Sequence, residues 1–287
     1  IMDKTTYFYP NKTLRTGNGL LDLSTPAIMG ILNVTPDSFY DGGKFLGGES
    51  ALRQAEHLIL QGADIVDIGG MSTRPGAVVI GAEEEMQRVL PIVTAIRKQF
   101  PDVHISIDTV YATTAKAAIE AGAGIINDVS AGKMDPGIID VAKKYQVPYI
   151  TMHMQGQPEN MQQNPIYGDV VKEVFDFLLQ QVIELDKVGL QDVIIDPGFG
   201  FGKTLEQNYA LAAKLEQFKL IGKPILVGIS RKSMICKLLK VNPDKALNGT
   251  SGLHSILLLK GADILRVHDV KEAVELRKIV QALKNAN

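Results

Sequence analysis

The sequence lacks the features that mark several broad classes of protein. Its 287 residues include one cysteine, Cys236, so an intramolecular disulfide framework and a cysteine-rich zinc site are excluded. A net charge of −2 gives no electrostatic reason to bind nucleic acid or an anionic membrane. No apolar run approaches the ~20 residues of a membrane-spanning helix, and the N-terminal stretch has no apolar core like that of a secretory signal. We therefore expect a cytoplasmic protein with no membrane or nucleic-acid partner.

Eight short apolar runs, separated by amphipathic stretches, organise the chain from about residue 27 onwards. They cover residues 27–34, 63–70, 104–109, 124–130, 148–153, 192–196, 224–230 and 262–268. The runs are apolar on both faces, as the strands of a helix-covered parallel sheet are. Eight β–α units close a TIM barrel, whose usual size is ~250 residues. We predict an α/β fold, a single (β/α)8 TIM barrel over residues 27–287, with an open doubly wound sheet as the alternative. Residues 1–26 form an N-terminal extension, expected to be a short hairpin or a plug across the barrel bottom.

Polar or charged residues stand where the predicted strands end. In a TIM barrel the chemistry collects at this edge. Any one of these residues has a structural explanation, since a strand-end Asp often caps the next helix. The complete set is harder to explain in that way, because buried polar groups cost stability unless they are paired. The set consists of Asn33, Thr73, Arg74, Asp108, Asn127, Asp128, Met152, His153, Asp196, Arg231, Lys232, Arg266 and His268.

The chemical types within this set indicate the ligand. Asp108, Asn127 and Asp196 offer acceptors and an amide, which suit a flat heterocycle with N–H donors. Asn33 and the nearby Asp37 are candidate oxygen ligands for Mg²⁺, an ion usually held by few protein groups, waters and substrate phosphates. The cationic residues suit a phosphate or a carboxylate. They are Arg74, Arg231, Lys232, Arg266 and His268. The pattern predicts a site for an aromatic heterocycle that carries a phosphate ester, and it leaves open a second, anionic substrate.

The segment "DPGFGFGKT", residues 196–204, looks like a phosphate-binding loop but does not have its spacing. The nucleotide-binding P-loop needs four residues between its outer glycines. Counting back from Gly202 and Lys203, the first glycine would fall at position 197, where Pro197 stands. The segment is therefore interpreted as a strand-end acid, Asp196, followed by a glycine-rich turn.

Seven segments resemble those of bacterial dihydropteroate synthase, a folate-pathway enzyme family. They occur in the family's order and span residues 28–272. The segments are "IMGILNVTPDSFYDGG", "DIGGMSTRPGA", "ISIDT", "IINDVSAG", "IIDPGFGFGKT", "GISRKS" and "RVHDVKE". The sequence departs from the family at Met71, where Glu is common, and at Tyr40, where Ser is frequent. These departures put substrate tuning in doubt but not the activity.

The resemblance implies a reaction, a cofactor and an assembly. The family condenses 6-hydroxymethyl-7,8-dihydropterin diphosphate with p-aminobenzoate by a dissociative substitution, giving 7,8-dihydropteroate and pyrophosphate. Mg²⁺ is the implied cofactor. A homodimer is expected because the family is commonly dimeric. Two alternatives remain, a pterin-binding methyltransferase domain and a non-catalytic pterin-binding homologue.

The resemblance also implies roles for individual residues. Asn33 is expected to bind Mg²⁺ and the diphosphate. The expected catalytic residues are Asp108, Lys232, Arg74 and Asp37. The expected contacts of the pterin are Asp108, Asn127, Asp196 and Lys232, and those of the diphosphate are Arg266 and His268. The expected lining of the p-aminobenzoate pocket, where sulfonamides compete, is Phe201, Lys232 and Ser233. Residues of a mobile loop that closes the site are Thr73, Arg74 and Pro75, and further substrate-binding positions are Met152 and Gly228.

Overall fold

The computed structural model describes residues 12–35, 44–71, 80–156, 161 and 165–286, and in these an antiparallel hairpin precedes an eight-stranded parallel sheet. The hairpin consists of β1 (Thr13–Thr16) and β2 (Gly19–Asp22). The parallel strands are β3 (Ala27–Asn33), β4 (Ile65–Gly69), β5 (His104–Asp108), β6 (Ile125–Asp128), β7 (Tyr149–Met152), β8 (Val193–Asp196), β9 (Leu226–Val227) and β10 (Ile264–Val267).

The parallel sheet closes into a barrel. Its strand order is β8-β7-β6-β5-β4-β3-β10-β9, so β3 lies beside β10. The two ends of that order meet where Ile195 forms a parallel bridge with Ile225 and donates its N–H to the carbonyl of Pro224 at 2.9 Å. The prediction of a TIM barrel is thereby confirmed, and the open doubly wound sheet is not.

The seventh barrel strand, β9, is shorter than the predicted run of residues 224–230. Pro224 has no N–H to give to the sheet, and the N–H of Ile225 goes to the side chain of Asp263 at 2.9 Å. Beyond Val227 the chain turns, because the N–H of Lys232 bonds the carbonyl of Ile229 at 3.1 Å. The apolar pattern therefore continued past the last ladder hydrogen bonds into a buried turn.

The hairpin covers the amino end of the barrel. Its residues Leu14 and Leu21, and Leu23 just after it, are buried. They pack against the first inward-facing residues of the barrel strands. These are Ala27, Met29, Ile65, Ile125, Ile150, Ile194, Leu226 and Ile264. With its amino end closed by leucines, the barrel is left with its carboxyl end as the place for a site.

Helices surround the barrel in the described part of the chain. They are α1 (Lys44–Leu60), α2 (Ala82–Gln99), α3 (Ala112–Glu120), α4 (Gly137–Tyr145), α5 (Val170–Lys187), α6 (Leu205–Ala213), α7 (Ser233–Leu239), α8 (Leu247–Leu259) and α9 (Val270–Asn285). Local sequence fixes several starts: Asp169 caps α5 by accepting the N–H groups of Val171 and Lys172, and Thr204 with Gln207 forms a capping box on α6. Among the helices described here, none is both long and apolar enough to cross a bilayer.

Candidate active site

Alternation along the strands aims one set of side chains into the carboxyl end of the barrel. Successive side chains of a strand point to opposite faces, so residues in phase with the inward-facing leucines and isoleucines of the closed end also face inwards. This phase selects Asn33, Asp67, Asp108, Asn127, Met152, Asp196, Gly228 and Arg266. The strand registers place Asn33 opposite Gly69, Gly69 opposite Asp108, and Asp108 opposite Asn127. Residues far apart in the sequence thus share one level of the mouth.

Arg266 is the centre of the mouth's largest charge cluster. Its Nε donates to Oδ2 of Asp67 at 2.6 Å, and its Nη2 donates to Oδ2 of Asp108 at 2.6 Å. Nδ2 of Asn127 donates to the same oxygen of Asp67 at 3.1 Å. Both carboxyl groups and the Asn127 amide are buried. One guanidinium therefore holds two buried acids in place, with an amide fixed beside them.

The protonation of this cluster is set by burial against charge. Burial raises the pKa of Asp108 to about 7, and the nearby Arg266 guanidinium opposes that rise without cancelling it. Burial disfavours the charge of Arg266 as well, but the carboxylates of Asp67 and Asp108 hold the pKa of the guanidinium above its usual value. Asp108 can therefore gain or lose a proton near neutral pH while Arg266 stays charged.

Asp67 belongs to the cluster, although the strand-end rule did not predict it. It lies inside β4, two residues before the strand ends, and is fully buried. Its Oδ1 has no hydrogen-bond partner among the described residues. The signal that could have identified it is an acid within an apolar strand, in phase with inward-facing Ile65, since such an acid needs a partner.

Asp196 and Lys232 form the second charged part of the mouth. Oδ1 of Asp196 accepts the N–H of Gly198 at 2.7 Å. Burial raises the pKa of Asp196, while the nearby Lys232 lowers it in part. Burial also lowers the pKa of Lys232 to about 8, and Asp196 opposes that change. A Cβ built on Gly228 would lie 3.9 Å from Lys232 Nζ and from Arg266 Cβ, so the backbone at this position runs between the two cations.

An apolar wall stands beside Lys232. Phe201 is buried, and the Nζ of Lys232 lies 4.5 Å from the centroid of its ring. Lys232 also donates to the carbonyl of Phe199. Phe201 shares a buried cluster with Met71, Val110, Val129, Met152 and Met161. Ser233, the first residue of α7, is exposed directly after Lys232. The arrangement suits an aromatic ring with a polar end near the start of α7.

His268 follows β10 at the rim of the mouth. Its Nδ1 lies 3.1 Å from Oγ of Ser230, and its backbone N–H donates to the same oxygen at 3.2 Å. Arg231, a predicted anion-binding candidate, instead forms a two-point ion pair with Asp269. The predicted anion-binding residues are thus divided between two places: Arg231 pairs with Asp269, whereas Arg266 pairs with Asp67 and Asp108 inside the mouth.

Two other strand-end residues support loops. The Asp128 carboxylate accepts the N–H groups of Ser130 and Gly132, both at 2.7 Å, and the hydroxyl of Tyr149 at 2.6 Å. Asp128 therefore shapes the turn after β6, while Asn127 next to it faces the mouth.

His153 is buried, and burial lowers its pKa to about 3, so the ring is neutral. The other predicted residues Asp37, Thr73, Arg74 and Pro75 lie outside the described residues, as does Tyr40.

Comparisons with known proteins identify the family of the chain. The family model described as "Pterin binding enzyme" matches residues 29–268. Dihydropteroate synthase of Escherichia coli (strain K12) is 46% identical over 268 residues, covering 93% of this chain and 94% of that protein. The dihydropteroate synthase structure of Yersinia pestis in a sulfonamide drug complex superposes with a TM-score of 0.89 at 43% identity, over 95% of this chain and 99% of that one.

A second solved structure extends the comparison to a complex with 7,8-dihydropteroate. Dihydropteroate synthase from Xanthomonas albilineans, in complex with 7,8-dihydropteroate, has a TM-score of 0.86 at 37% identity and covers 95% of this chain and 98% of that one. The similarity therefore extends over most of the chain rather than through one motif. On these grounds the chain belongs to the dihydropteroate synthase family of pterin-binding enzymes.

Proposed function

We infer that this protein is a dihydropteroate synthase, a transferase that joins 6-hydroxymethyl-7,8-dihydropterin diphosphate to p-aminobenzoate and releases pyrophosphate. The observation that carries this conclusion is the 46% identity to an enzyme of that name over 93% of the chain. The mouth agrees with it, since it combines buried acids and an amide with cations and an apolar wall. The alternatives, a methyltransferase domain and a non-catalytic homologue, have no comparable support.

We propose that the pterin ring binds against Asp196, Asn127 and Asp108. The ring edge presents N–H donors and an acceptor, which these side chains match. Asp196 is fixed by Gly198 through one oxygen and has a second oxygen with which a ring N–H can pair. Lys232, on the same side of the mouth, offers its ammonium to the ring's acceptor.

The reaction then rests on the surrounding charges. As the bond between the pterin methylene carbon and the diphosphate oxygen breaks, its electron pair leaves with the diphosphate, and Arg266 and His268 are proposed to bind the departing charge. The dihydropterin delocalises the positive charge that remains, and the anionic form of Asp108 stabilises it. The neutral amine of p-aminobenzoate forms the new C–N bond and then loses a proton. Catalysis by this route depends on positioning and electrostatics rather than on a covalent nucleophile.

We propose that p-aminobenzoate stacks on Phe201, with Met152 and Gly228 behind it and its carboxylate near Ser233. The buried cluster around Phe201 supplies an apolar surface, and Lys232 lies over the same ring. Sulfonamides, which share the aniline ring, are expected to compete there. By the family resemblance, Thr73, Arg74 and Pro75 close over this pocket, and Arg74 and Asp37 act in the catalytic step.

Mg²⁺ is proposed as the cofactor, with Asn33 as its protein ligand. Among the described residues no three His, Cys, Asp or Glu side chains gather into a metal site. Mg²⁺ keeps several waters, is held mainly by a substrate diphosphate, and needs only one or two protein oxygens in such sites. Asn33 faces the mouth at the level of Asp108 and Asn127 and can provide one. When bound, the ion would neutralise charge on the diphosphate.

We further propose that the protein acts in the cytoplasm as a homodimer on small-molecule substrates. Helices α8 and α9 pack against each other, and each carries exposed apolar residues. On α8 these are Ile256 and Leu259, and on α9 they are Ile279 and Leu283. Apolar side chains at these spacings lie on one side of a helix, so the pair of helices supports a contact with a second copy.

Pyrophosphate release from dihydropterin diphosphate tests the function. The assay contains Mg²⁺ and is run with and without p-aminobenzoate. Release that is coupled to formation of dihydropteroate is the expected result. Binding of the pterin without turnover would contradict the synthase, and binding of methyltetrahydrofolate in the same preparation would support the methyltransferase alternative.

A further inference from the structure

The "DPGFGFGKT" segment contains a buried lysine to which the reaction gives no role. Lys203 is 3% exposed. Its Nζ donates to the carbonyls of Gly198 at 2.8 Å, Phe201 at 3.0 Å and His153 at 3.3 Å, and lies 3.0 Å from Nδ1 of His153. Because His153 is neutral, its Nδ1 can accept from the ammonium. The Lys203 amino group is therefore surrounded by acceptors, and burial lowers its pKa to about 7.

The loop of residues 197–203, called the glycine loop below, packs closely against neighbouring backbone. Gly198 and Gly202 have φ values of +70° and +62°. A Cβ on Gly198 would lie 1.9 Å from the carbonyl oxygen of His153, and one on Gly202 would lie 2.3 Å from that of Gln155. The glycine loop therefore rests directly on the backbone that follows β7, which only glycine permits at these positions.

Neighbouring side chains bond the rest of the glycine-loop backbone. Oδ1 of Asn208 accepts the N–H of Gly200 at 2.7 Å, and the hydroxyl of Tyr167 donates to the carbonyl of Gly202 at 2.8 Å. The carbonyl of Phe201 accepts its bond from Lys203, and that of Gly198 accepts both from Lys203 and from the N–H of Phe201 at 3.1 Å. These two residues border the two substrate regions, since Gly198 fixes Asp196 and Phe201 forms the apolar wall.

We propose that Lys203 is a positioning residue, whose buried amino group holds the Phe201 carbonyl and thereby sets the ring that receives p-aminobenzoate. The proposal rests on the proposed function, in which Phe201 lines that pocket. Lys232 contacts the same loop at other points, since it bonds the Phe199 carbonyl and lies over the Phe201 ring. The glycine loop is thus contacted by two lysines. Lys203 bonds the carbonyls of Gly198 and Phe201, and Lys232 bonds the carbonyl of Phe199.

A double-mutant cycle separates positioning through Phe201 from a general structural role. Lys203→Met should raise KM for p-aminobenzoate about tenfold, because the hydrogen bond that holds the Phe201 carbonyl is lost. KM for dihydropterin diphosphate should change by less than about threefold on the same scale. In a Phe201→Ala background, Lys203→Met should have almost no further effect on KM for p-aminobenzoate. Lys214→Met removes an exposed lysine just after α6 and should leave all constants unchanged.

Two outcomes would overturn the proposal. One is an equal rise of both KM values in Lys203→Met, and the other is a full Lys203→Met effect that persists in the Phe201→Ala background. Circular dichroism and thermal melting check that each variant is folded. If Lys203→Met does not fold, Lys203→Gln, which keeps an amide donor in a shorter side chain, takes its place in the cycle. Turnover by the unaltered protein is measured first, so that a failed synthase assignment is seen separately from a failed role of Lys203.

Discussion

At the scale of residues, the mouth works by setting burial against charge. Arg266 lies between Asp67 and Asp108, and Lys232 lies near Asp196. Burial raises the pKa of Asp108 and of Asp196 and lowers that of Lys232, while the opposite charges oppose these changes. The pKa values of these groups should therefore shift strongly when a charged substrate binds beside them. The titration of the mouth should therefore be visible in the kinetics.

The clearest consequence concerns Asp108. Its carboxyl group has a pKa of about 7, so the anion that stabilises a developing cation forms only as the pH rises through that value. We expect kcat/KM, which reports the free enzyme, to rise about tenfold per pH unit below this pKa and to level off above it. Asp108→Asn should lower kcat by about 10²-fold, and the kcat/KM of this variant should not rise with pH in the same range. A rise that persists in Asp108→Asn would assign the titration to another group.

A second prediction concerns Asp196 and the ring edge. Asp196→Ala should leave a buried ring N–H without its partner, at a cost of ~1–3 kcal/mol or more. The pterin Kd measured by calorimetry should therefore rise about 10- to 100-fold. Asp176→Ala, which removes a carboxylate paired with Lys172 on the surface of α5, is the control and should bind normally. Unchanged pterin binding by Asp196→Ala would remove this residue from the pterin site.

The sequence predicted some of these residues for a physical reason that can be stated. Asp108, Asn127 and Asp196 stand at ends of apolar runs, and parallel strands bring such ends together. Asp67 escaped that rule because it lies within its run. The burial of Lys203 could not be predicted either, because it depends on a turn after β8 meeting the backbone after β7. Contacts between distant segments leave no local pattern.

At the scale of elements, the hairpin of β1 and β2 is the part that most clearly acts on stability and not on chemistry. Its leucines pack on the amino ends of the strands, at the opposite end from Arg266 and Asp196.

The existence of each barrel strand was predictable from the sequence, because each run is apolar on both faces. Strand length was less so, and β9 shows why: the chain from Gly228 to Ser230 stays apolar or small and buried while it turns.

Two adjacent leucines of the hairpin allow a matched test. Leu21 is 4% exposed and packs in the barrel end, whereas Leu20 is 69% exposed. Leu21→Ala should lower the free energy of unfolding by about 2–5 kcal/mol, and Leu20→Ala should stay within about 0.5 kcal/mol of the parent. Both are measured by urea denaturation. KM values of folded Leu21→Ala should equal those of the parent, and a large change in them would show that the hairpin reaches the mouth.

At the scale of the whole molecule, different surfaces of the barrel have different roles. One end is closed by leucines, the other collects acids and cations, and the outer helices face solvent or a partner. The repeated β–α pattern was enough to predict this architecture, because eight units close on themselves. It was not enough to assign an assembly, since a helix that faces a second copy has the same apolar periodicity on its inner side as one that faces water. The exposed apolar residues of α8 and α9 support the proposed contact with a second copy there.

The last prediction tests that assembly. Ile256 on α8 and Ile279 on α9 are 48% and 63% exposed, which is costly for large apolar side chains that meet only water. Ile256→Glu combined with Ile279→Glu should convert the homodimer to a monomer in sedimentation velocity, because two charges would be buried in each contact. Ile183→Glu on α5, where Ile183 is 41% exposed, should remain dimeric as the control. Dissociation by the control as well, or an unaltered protein that sediments as a monomer, would contradict a dimer through α8 and α9. Since the mouth of each barrel is built within one chain, the monomeric variant should keep its pterin affinity, and a loss of it would mean that the second copy supports the site.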